Sequence, residues 1–343
     1  MAHDIRIAGT DLHFPCESGQ NLLDAALKAG IEMPYSCRKG VCGNCAGAVP
    51  SGPVHSPPSE VAPAGQHLFC QCVPLGDLEI APPAWHRAEP GARKTFAAKV
   101  YRNTRAADDV SVLQLRLPPG QRARFKAGQY LQLVLPDGSR RSYSMANPPH
   151  ESDMLQLHVR HVPGGRFSAI VAGLEPGEVL QLELPFGSFE LREQAGAPLL
   201  CVAGGTGFAP VKSLLDDLVK KRVRRPVTLI WGGRNRAGLY LLGAVERWRL
   251  QLPGFSFLPA VEDAADAQAL GGFHGRVDQA LLAHCPSLAG WEVYCCGAPA
   301  MVAAVRQACV AGRGLAPQRF HSDAFVPGPA AAAPDTLPAP PQA

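Results

Sequence analysis

The stretch Pro34-Tyr35-Ser36-Cys37-Arg38-Lys39-Gly40-Val41-Cys42-Gly43-Asn44-Cys45 contains three cysteines at the spacing C-x4-C-x2-C, with glycines between them. A further cysteine follows in Leu68-Phe69-Cys70-Gln71-Cys72-Val73-Pro74. Plant-type [2Fe–2S] clusters are held by four thiolates at this spacing. The glycines permit tight turns and allow backbone N–H groups to point at cluster sulfur. The sequence therefore predicts a cluster whose metal ligands are Cys37, Cys42, Cys45 and Cys70.

Parts of this pattern have other interpretations. Cys42-x2-Cys45 alone would equally suit half of a zinc site or a redox-active dithiol. The additional cysteine at the x4 position, with its glycines, favours the iron–sulfur cluster. Cys72 is the alternative fourth ligand to Cys70, and otherwise an ordinary small core residue.

Length and composition limit the protein classes that need considering. A chain of 343 residues is too long for one typical core, which predicts two or three domains. Its 33 Lys and Arg nearly balance its 29 Asp and Glu, so nucleic acid is not an implied partner. Eleven irregularly spaced cysteines argue against a disulfide framework and for a reducing compartment. With no signal peptide and no long apolar run, we expect a cytoplasmic protein without a membrane span. The Pro- and Ala-rich residues 327–343 predict a disordered tail.

The first region, residues 1–86, has the elements of a small β-grasp module. Apolar residues alternate on both sides of Ala8-Gly9-Thr10-Asp11, which predicts a hairpin. Asn21 can cap a short helix that ends at Gly30, and Asp77-Leu78-Glu79-Ile80 predicts a closing strand. Prolines from residue 82 onward then interrupt regular structure, and we assign residues 87–94 to a linker.

The second region, residues 95–195, consists of short strands of period two with turn signals between them, which predicts an antiparallel barrel. Within it stands Arg141-Ser142-Tyr143-Ser144. Arginine offers a planar fork for a pyrophosphate, tyrosine a flat face for a ring system, and serine a hydroxyl for ring nitrogens. This combination favours an FAD site, although an exposed strand would also explain it.

A second segment of the barrel supports FAD. Gly164-Gly165-Arg166-Phe167-Ser168 precedes a short helical stretch, whose free N–H groups can receive a phosphate. Taken alone, this segment is equally well explained as a glycine turn between a strand and a helix. The two segments together favour the flavin dinucleotide.

The third region, residues 196–326, changes periodicity. The apolar run Leu199-Leu200-Cys201-Val202-Ala203 predicts a buried parallel strand, and a glycine turn and a helix from Val211 to about Val219 follow. The turn residues Gly204, Gly205, Thr206, Gly207 and Pro210 are candidate nucleotide contacts. Their pattern G-x-G-x-x-P departs from the dinucleotide fingerprint and is weak evidence alone.

Later strands predict a doubly wound parallel sheet with its ligand at the carboxyl ends of the strands. The strand Val227-Thr228-Leu229-Ile230-Trp231 ends at Gly232 and Arg234, without an acid to hold a ribose hydroxyl. Arg234 and Arg236 can accept a 2′-phosphate or stack on adenine, which leaves NADH and NADPH both open. The strand at 291–295 leads to the remaining candidates, Cys296, Gly297, Pro299 and Met301.

In this order, the four cysteines, Arg141-x-Tyr143-Ser144, Gly205-Thr206-Gly207 and Cys296-Gly297-x-Pro299 resemble the ferredoxin-NAD(P)H reductase superfamily. The similar form is the one with an N-terminal plant-type ferredoxin, which includes reductase components of bacterial multicomponent oxygenases and CDP-deoxyglucoseen reductase. The resemblance covers about residues 1 to 326. It favours Cys70 over Cys72 as the fourth ligand, because Cys70 stands four residues before Pro74 as in the family.

The resemblance also implies roles that spacing does not reveal. Ser144 would lie near flavin N5, and Thr206 and Cys296 would flank the nicotinamide, so that Ser144 and Cys296 are the catalytic candidates. Residues 320–325, including Phe325, would lie near the flavin ring. The strand beside the flavin would consist of His158, Val159 and Arg160. Two departures, Leu184-Pro185-Phe186-Gly187 and Gly238, put nucleotide preference in doubt more than the fold.

We therefore expect a multidomain α+β and α/β protein with a β-grasp [2Fe–2S] ferredoxin, an antiparallel FAD-binding β-barrel and a doubly wound parallel-sheet NAD(P)-binding domain. It would carry electrons from NAD(P)H, with NADH favoured, through FAD and the cluster to a redox partner such as an oxygenase. We also expect a monomer. The alternatives are a deoxysugar-pathway reductase, a reductase of free flavin and a redox sensor.

Overall fold

The computed structural model of this chain describes residues 2–89, 91–192 and 196–326. The tail predicted for residues 327–343 lies outside the described residues. Three sheets of five or six strands follow one another along the chain, and the second is antiparallel and the third parallel, as the sequence predicts. The domain limits proposed from the sequence remain predictions.

The first sheet is mixed and has the strand order β2-β1-β8-β4-β6. The predicted hairpin is confirmed, with Ile5 opposite Phe14. Asn21 caps the helix because its side-chain oxygen accepts a hydrogen bond from the backbone N–H of Asp24 at 2.8 Å. The elements are β1 (Ala2–Ile7), β2 (His13–Glu17), α1 (Leu22–Lys28), β3 (Ile31–Glu32), β4 (Ala46–Ser51), β5 (Val54–His55), β6 (His67–Leu68), β7 (Val73–Pro74), β8 (Leu78–Ala81) and β9 (His86–Arg87).

The chain between the first two sheets is partly regular. His86 and Arg87 of β9 pair with Ile31 and Glu32 of β3, so residue 87 of the proposed linker belongs to a strand. The next long strand begins at Lys94. The connection is therefore fastened to the first module at one end and to the second sheet at the other.

The second sheet is antiparallel, with the order β13-β12-β15-β10-β11-β14, and a bridge between Met145 and Leu157 brings its two outer strands together. Alternate side chains such as Leu155 and Leu157 point into the barrel core, as the period-two pattern predicts. The elements are β10 (Lys94–Ala107), β11 (Val110–Arg116), β12 (Tyr130–Val134), β13 (Arg140–Ser144), β14 (Met154–Arg160), α2 (Arg166–Gly173) and β15 (Val179–Phe186).

The third sheet is parallel throughout and has the order β19-β18-β17-β16-β20-β21. Because chain order reverses on either side of β16, its carboxyl end lies at the switch point where ligands bind in such sheets. The elements are β16 (Leu199–Gly204), α3 (Phe208–Lys220), β17 (Val227–Gly233), α4 (Leu242–Gln251), β18 (Phe255–Val261), α5 (Ala264–Leu270), β19 (Phe273–His274), α6 (Val277–His284), β20 (Glu292–Gly297), α7 (Pro299–Arg313) and β21 (Phe320–Ala324).

One helix differs from its predicted start. Residues 205–207 form a 3-10 turn and α3 begins at Phe208, three residues before the predicted Val211. Pro210 lies in the first turn of the helix. Backbone N–H groups in this turn have no acceptor within the helix, so a proline there removes no hydrogen bond. The proline therefore does not delay the helix, and the glycine turn leads directly into α3.

The three sheets share their cores. Tyr130 and Phe186 of the barrel pack into the core of the first module. Cys42 belongs to the hydrophobic core of the parallel sheet that also contains Leu200 and Val293. Within the part of the chain that the structure describes, no helix is long and apolar enough to span a membrane.

Candidate active site

The four predicted cluster cysteines come together as two pairs. Cys37 accepts a hydrogen bond from the Cys42 thiol, which lowers the pKa of Cys37 to about 6 and raises that of Cys42. In the same way Cys70 accepts from Cys45, which lowers the pKa of Cys70 to about 7 and raises that of Cys45. Among the described residues no three His, Cys, Asp or Glu side chains are grouped around one point as a single ion would require. Two pairs of thiols suit a two-iron core, which takes two thiolates per iron.

The loop around these pairs directs donors at sulfur. The backbone N–H of Lys39 points at Cys37 Sγ at 3.4 Å. Gly40 and Gly43 have φ of +75° and +80°, a conformation that favours glycine. The side-chain amide of Gln71 donates to Cys70 Sγ at 3.5 Å. The sequence analysis missed Gln71, although its position beside a predicted ligand was a usable signal.

Cys72 belongs to neither pair. It is fully buried in the core of the first module, and its thiol donates to Ser56 Oγ at 3.5 Å. This placement agrees with the interpretation of Cys72 as a core residue.

The predicted flavin segment occupies β13. Ser144 is buried, and its Oγ has no hydrogen-bond partner among the residues that the structure describes. The Tyr143 ring packs against Phe167 of α2, 5.2 Å between centroids, and burial raises the pKa of its hydroxyl. Arg141 is partly exposed beside them. An orphaned hydroxyl next to a half-buried ring and a guanidinium fits a polar, planar group such as a flavin.

The second flavin segment forms the N-terminus of α2. Gly165 is the N-cap, and the hydroxyl of Ser168 accepts from the N–H of Val162 at 3.2 Å and donates to the carbonyl of Gly165 at 3.0 Å. Gly164 is exposed and Phe167 buried, and the side chain of Arg166 lies outside the described residues. Ser168 thus holds the turn together, while the first N–H groups of the helix are available to an anion.

Neighbouring side chains of β14 point to opposite faces of the strand. Val159 points into the barrel core and can offer a ligand outside the barrel only its backbone. His158 points the other way: its Nδ1 lies 2.9 Å from the Tyr240 hydroxyl and its ring stacks near Phe208. Burial lowers the pKa of His158 well below its usual value, and its Nε2 has no hydrogen-bond partner in the described part of the chain.

Arg160 connects the barrel to the glycine turn. It forms an ion pair with Asp109. Its guanidinium lies against Gly205, where an added Cβ would approach it to 2.8 Å. The indole N–H of Trp231 donates to the carbonyl of Gly205 at 3.2 Å. The turn is therefore held from both the flavin barrel and the parallel sheet.

The glycines of the turn permit close approach of two strand ends. A Cβ on Gly207 would lie 2.1 Å from the carbonyl oxygen of Cys296, and one on Gly204 would lie 2.3 Å from the sulfur of Met301. Cys296 is fully buried, whereas Thr206 is partly exposed. Phe325 donates its backbone N–H to the carbonyl of Gly297 at 2.8 Å, which brings the residue that follows β21 to the same edge. The remaining members of this group are the buried Pro210 and the partly exposed Pro299.

The neighbouring strand ends carry acids that the sequence analysis missed. Arg234 is exposed, and its carbonyl accepts from the N–H groups of Glu262 and Asp263 at 3.1 and 3.0 Å. Asp263 caps α5, whereas the exposed Glu262 is not used as a cap. Gly232 lies beside Val277, which an added Cβ would approach to 2.5 Å. The position of Glu262 immediately after a strand of the parallel sheet was the signal for it.

Comparison with known proteins identifies these parts. Residues 5–75 match the 2Fe-2S iron-sulfur cluster binding domain, residues 97–191 the oxidoreductase FAD-binding domain and residues 201–307 the oxidoreductase NAD-binding domain. Reductase component 2 of terephthalate 1,2-dioxygenase from Comamonas sp. is 54% identical over 334 residues, covering 96% of this chain and 99% of that protein. The chain belongs to the ferredoxin-fused NAD(P)H reductase family.

Other members of the family match over nearly the whole chain. CDP-6-deoxy-L-threo-D-glycero-4-hexulose-3-dehydrase reductase from Yersinia pseudotuberculosis is 35% identical, covering 95% of this chain and 99% of its own. The crystal structure of Amycolatopsis cytochrome P450 reductase GcoB superimposes with a TM-score of 0.74 at 34% identity, covering 94% of this chain and 98% of its own. These matches confirm the predicted family, fold class and three cofactors. The reductase is an NAD(P)H oxidoreductase with a [2Fe–2S] cluster and FAD.

Proposed function

We propose that this reductase delivers electrons from NADH to the oxygenase component of an aromatic-ring dioxygenase. The observation that carries this proposal is the packing of the cluster loop against the nucleotide-binding sheet, with Cys42 in the same core as Leu200 and Val293. When bound, FAD accepts two electrons as a hydride and supplies them singly to the cluster. The cluster loop and the nucleotide-binding sheet are held together by one apolar core.

Different groups of residues would hold the cluster, the flavin and the nicotinamide dinucleotide. The thiol pairs Cys37–Cys42 and Cys45–Cys70 hold the iron centre. Ser144 offers its unpartnered Oγ to the flavin ring, beside Tyr143, while the N-terminal N–H groups of α2 receive phosphate. The turn from Gly204 to Gly207, which packs closely against Cys296, would receive the nicotinamide dinucleotide.

The partner is proposed from the relatives. The protein at 54% identity is the reductase component of terephthalate 1,2-dioxygenase, whereas the dehydrase reductase is at 35%. We therefore favour an aromatic dioxygenase partner over a deoxysugar dehydrase. NADH consumption coupled to hydroxylation of terephthalate by a purified terephthalate 1,2-dioxygenase oxygenase component tests this choice. Product formation at the uncoupled background rate would contradict it.

The route through the cluster is tested by replacing one ligand. Cys42→Ser should abolish NADH-driven reduction of cytochrome c and spare reduction of ferricyanide, which takes electrons from the flavin. Cys72→Ala is the matched control, because Cys72 is a buried cysteine of the same module that is in neither thiol pair. Loss of both activities in Cys42→Ser, with FAD still bound, would show that the cluster is not the exit.

NADH preference rests on Glu262. Glu262 follows β18 at the carboxyl edge of the sheet, and its backbone N–H bonds the carbonyl of Arg234. An acid at this edge can accept a hydrogen bond from a ribose hydroxyl and repel a 2′-phosphate. Glu262→Gln should lower kcat/KM for NADH about 10-fold or more, as expected for loss of a charged hydrogen bond of about 1.5–3 kcal/mol. An unchanged ratio of NADH to NADPH kcat/KM would contradict this role.

The reductase is also proposed to be a cytoplasmic monomer. All of its eleven cysteines are free thiols, which suits a reducing compartment. Size-exclusion chromatography at several protein concentrations tests the monomer. The elution volume should stay constant and correspond to the mass of one 36.4 kDa chain.

A further inference from the structure

The edge strand of the nucleotide-binding sheet is covered by the cluster loop. β21 is the last strand of that sheet and pairs with β20 on one side only. An edge strand normally leaves backbone groups unpaired on its free side. Here Asn44 donates through Nδ2 to the backbone oxygen of Ser322 at 2.8 Å. The hydroxyl of Ser322 in turn donates to the carbonyl of Cys42 at 3.0 Å.

These contacts lie in a desolvated interface. Ser322 is 1% exposed and Cys42 is 5% exposed. Val41 packs at the same place against the core that contains Phe320 and Ala324. A hydrogen bond removed from such a site leaves a buried group without a partner, which costs more than its removal at a surface.

β21 also leads directly to the nucleotide site. Ser322 stands opposite Cys295 in the sheet, and Ala324 opposite Gly297. Phe325 follows and donates its N–H to the carbonyl of Gly297 at 2.8 Å. Three residues of extended chain span about 10 Å. A short, hydrogen-bonded strand therefore joins the contact with the cluster loop to the edge where the nicotinamide binds.

The start of the cluster loop is fastened separately to the flavin barrel. Tyr35 donates its N–H to the hydroxyl of Ser188 at 2.7 Å, and Ser188 returns its own N–H to the carbonyl of Tyr35 at 2.8 Å. The loop that carries three of the four ligands is thus attached at two points, one on each of the other sheets.

From this geometry we propose that Ser322 and Asn44 are positioning residues that hold the cluster at a fixed distance from the flavin. The Ser322 hydroxyl bonds the backbone of the cluster loop, and the Asn44 side chain bonds the backbone of β21. Neither side chain would coordinate iron. Electron transfer between fixed centres falls steeply with distance, so release of the loop slows transfer without changing either centre. The inference rests on the proposed passage of electrons from flavin to cluster and adds the residues that set its rate.

The test uses the full chain loaded with FAD and cluster and mixed anaerobically with NADH in a stopped-flow spectrometer. Ser322→Ala is the principal variant, because it leaves the ferredoxin module unaltered, and Asn44→Ala removes the other bond. We expect the flavin to bleach at the wild-type rate and the cluster to bleach about 5- to 30-fold more slowly. This factor is the change in the ratio of docked to undocked cluster loop that loss of one buried hydrogen bond should cause. The midpoint potential and electron paramagnetic resonance spectrum of the cluster should not change.

Two controls separate positioning from general damage. Ser256→Ala removes a hydroxyl that bonds Thr228 in the same sheet. Ser256 lies on β18, with three strands between β18 and β21, and this variant should bleach both centres at wild-type rates. Ser322→Thr keeps a hydroxyl and should recover most of the cluster rate. Wild-type cluster bleaching in Ser322→Ala and Asn44→Ala would overturn the inference, as would slowing of flavin and cluster together. Failure of the wild-type chain to bleach its cluster would instead contradict the proposed function.

Discussion

Gln71 shows how a residue outside the four ligands can act on the cluster. Its side-chain amide reaches Cys70 Sγ at 3.5 Å and the Cys70 carbonyl at 2.9 Å. Reduction adds negative charge to the cluster, and a donor at sulfur stabilises that charge. Gln71 is thus placed to raise the potential of the cluster.

We predict that Gln71→Leu lowers the midpoint potential of the cluster by about 40 mV, the equivalent of about 1 kcal/mol for one hydrogen bond in a one-electron couple. A redox titration followed by electron paramagnetic resonance measures it. Gln66→Leu is the control, because Gln66 lies in the same segment and is exposed. Equal potentials in the two variants would show that the contact with sulfur has no effect.

His158 predicts a dependence of stability on pH. Burial, with the charge of Lys212 adding to it, lowers the pKa of His158 in the folded chain, and Tyr240 is its other titratable neighbour. Below about pH 6.5 the unfolded chain then binds a proton that the folded chain does not. The free energy of unfolding should therefore fall on acidification, by up to about 1.4 kcal/mol per pH unit from this group.

His158→Gln removes the titrating ring and keeps a polar group near Tyr240. We expect the melting temperature of this variant to fall less steeply between pH 6.5 and 5 than that of the wild type. The exposed His55 provides the control, since His55→Gln should retain the wild-type slope. Superimposable slopes in all three proteins would contradict the role assigned to His158.

At the scale of elements, the glycine turn between β16 and α3 provides a matched pair of positions. A Cβ on Gly207 would meet the backbone of Cys296 at 2.1 Å, and backbone cannot yield. A Cβ on Gly204 would meet the flexible end of Met301 at 2.3 Å. The two positions therefore differ in what must move.

Gly207→Ala should lower kcat/KM for NADH, with ferricyanide as acceptor, by about 5- to 150-fold, equivalent to an overpacking cost of about 1–3 kcal/mol. Gly204→Ala should have a smaller effect, which Met301→Ala in the same chain relieves. FAD content and circular dichroism check that both variants fold. Equal losses in the two single variants would contradict the distinction between backbone and side-chain obstacles.

Structural elements that are determined by residues close together in the sequence could be predicted. The cap at Asn21, the glycines of the cluster loop and the turn before α3 depend on neighbouring residues. The helix start at Phe208 was predicted three residues late, because Phe208 to Pro210 were counted with the preceding glycine turn.

Contacts between distant segments could not be predicted in the same way. Asn44 meets Ser322 across 278 residues, and Tyr35 meets Ser188 across 153, because the three sheets pack together. No local pattern marks these serines. Glu262 was missed for a related reason, since only the parallel alignment of β17 and β18 brings it beside Arg234.

For the molecule as a whole, the cluster loop is the point at which all three sheets meet. Interfaces between domains of one chain are commonly polar and allow relative motion unless several contacts fix them. Here Ser188 attaches the loop to the barrel and Ser322 attaches it to the parallel sheet. Each attachment limits the motion that loss of the other would permit, so the two should be energetically coupled.

We predict that the double variant Ser188→Ala, Ser322→Ala slows bleaching of the cluster by NADH by a larger factor than the product of the factors for the two single variants. Ser322→Ala with Ser256→Ala should give the simple product, because Ser256 lies on β18 and three strands separate β18 from β21 in the same sheet. Stopped-flow rates of the three single and two double variants at equal FAD and cluster content decide between these outcomes. A simple product for Ser188 and Ser322 would mean that the barrel and the parallel sheet hold the loop independently.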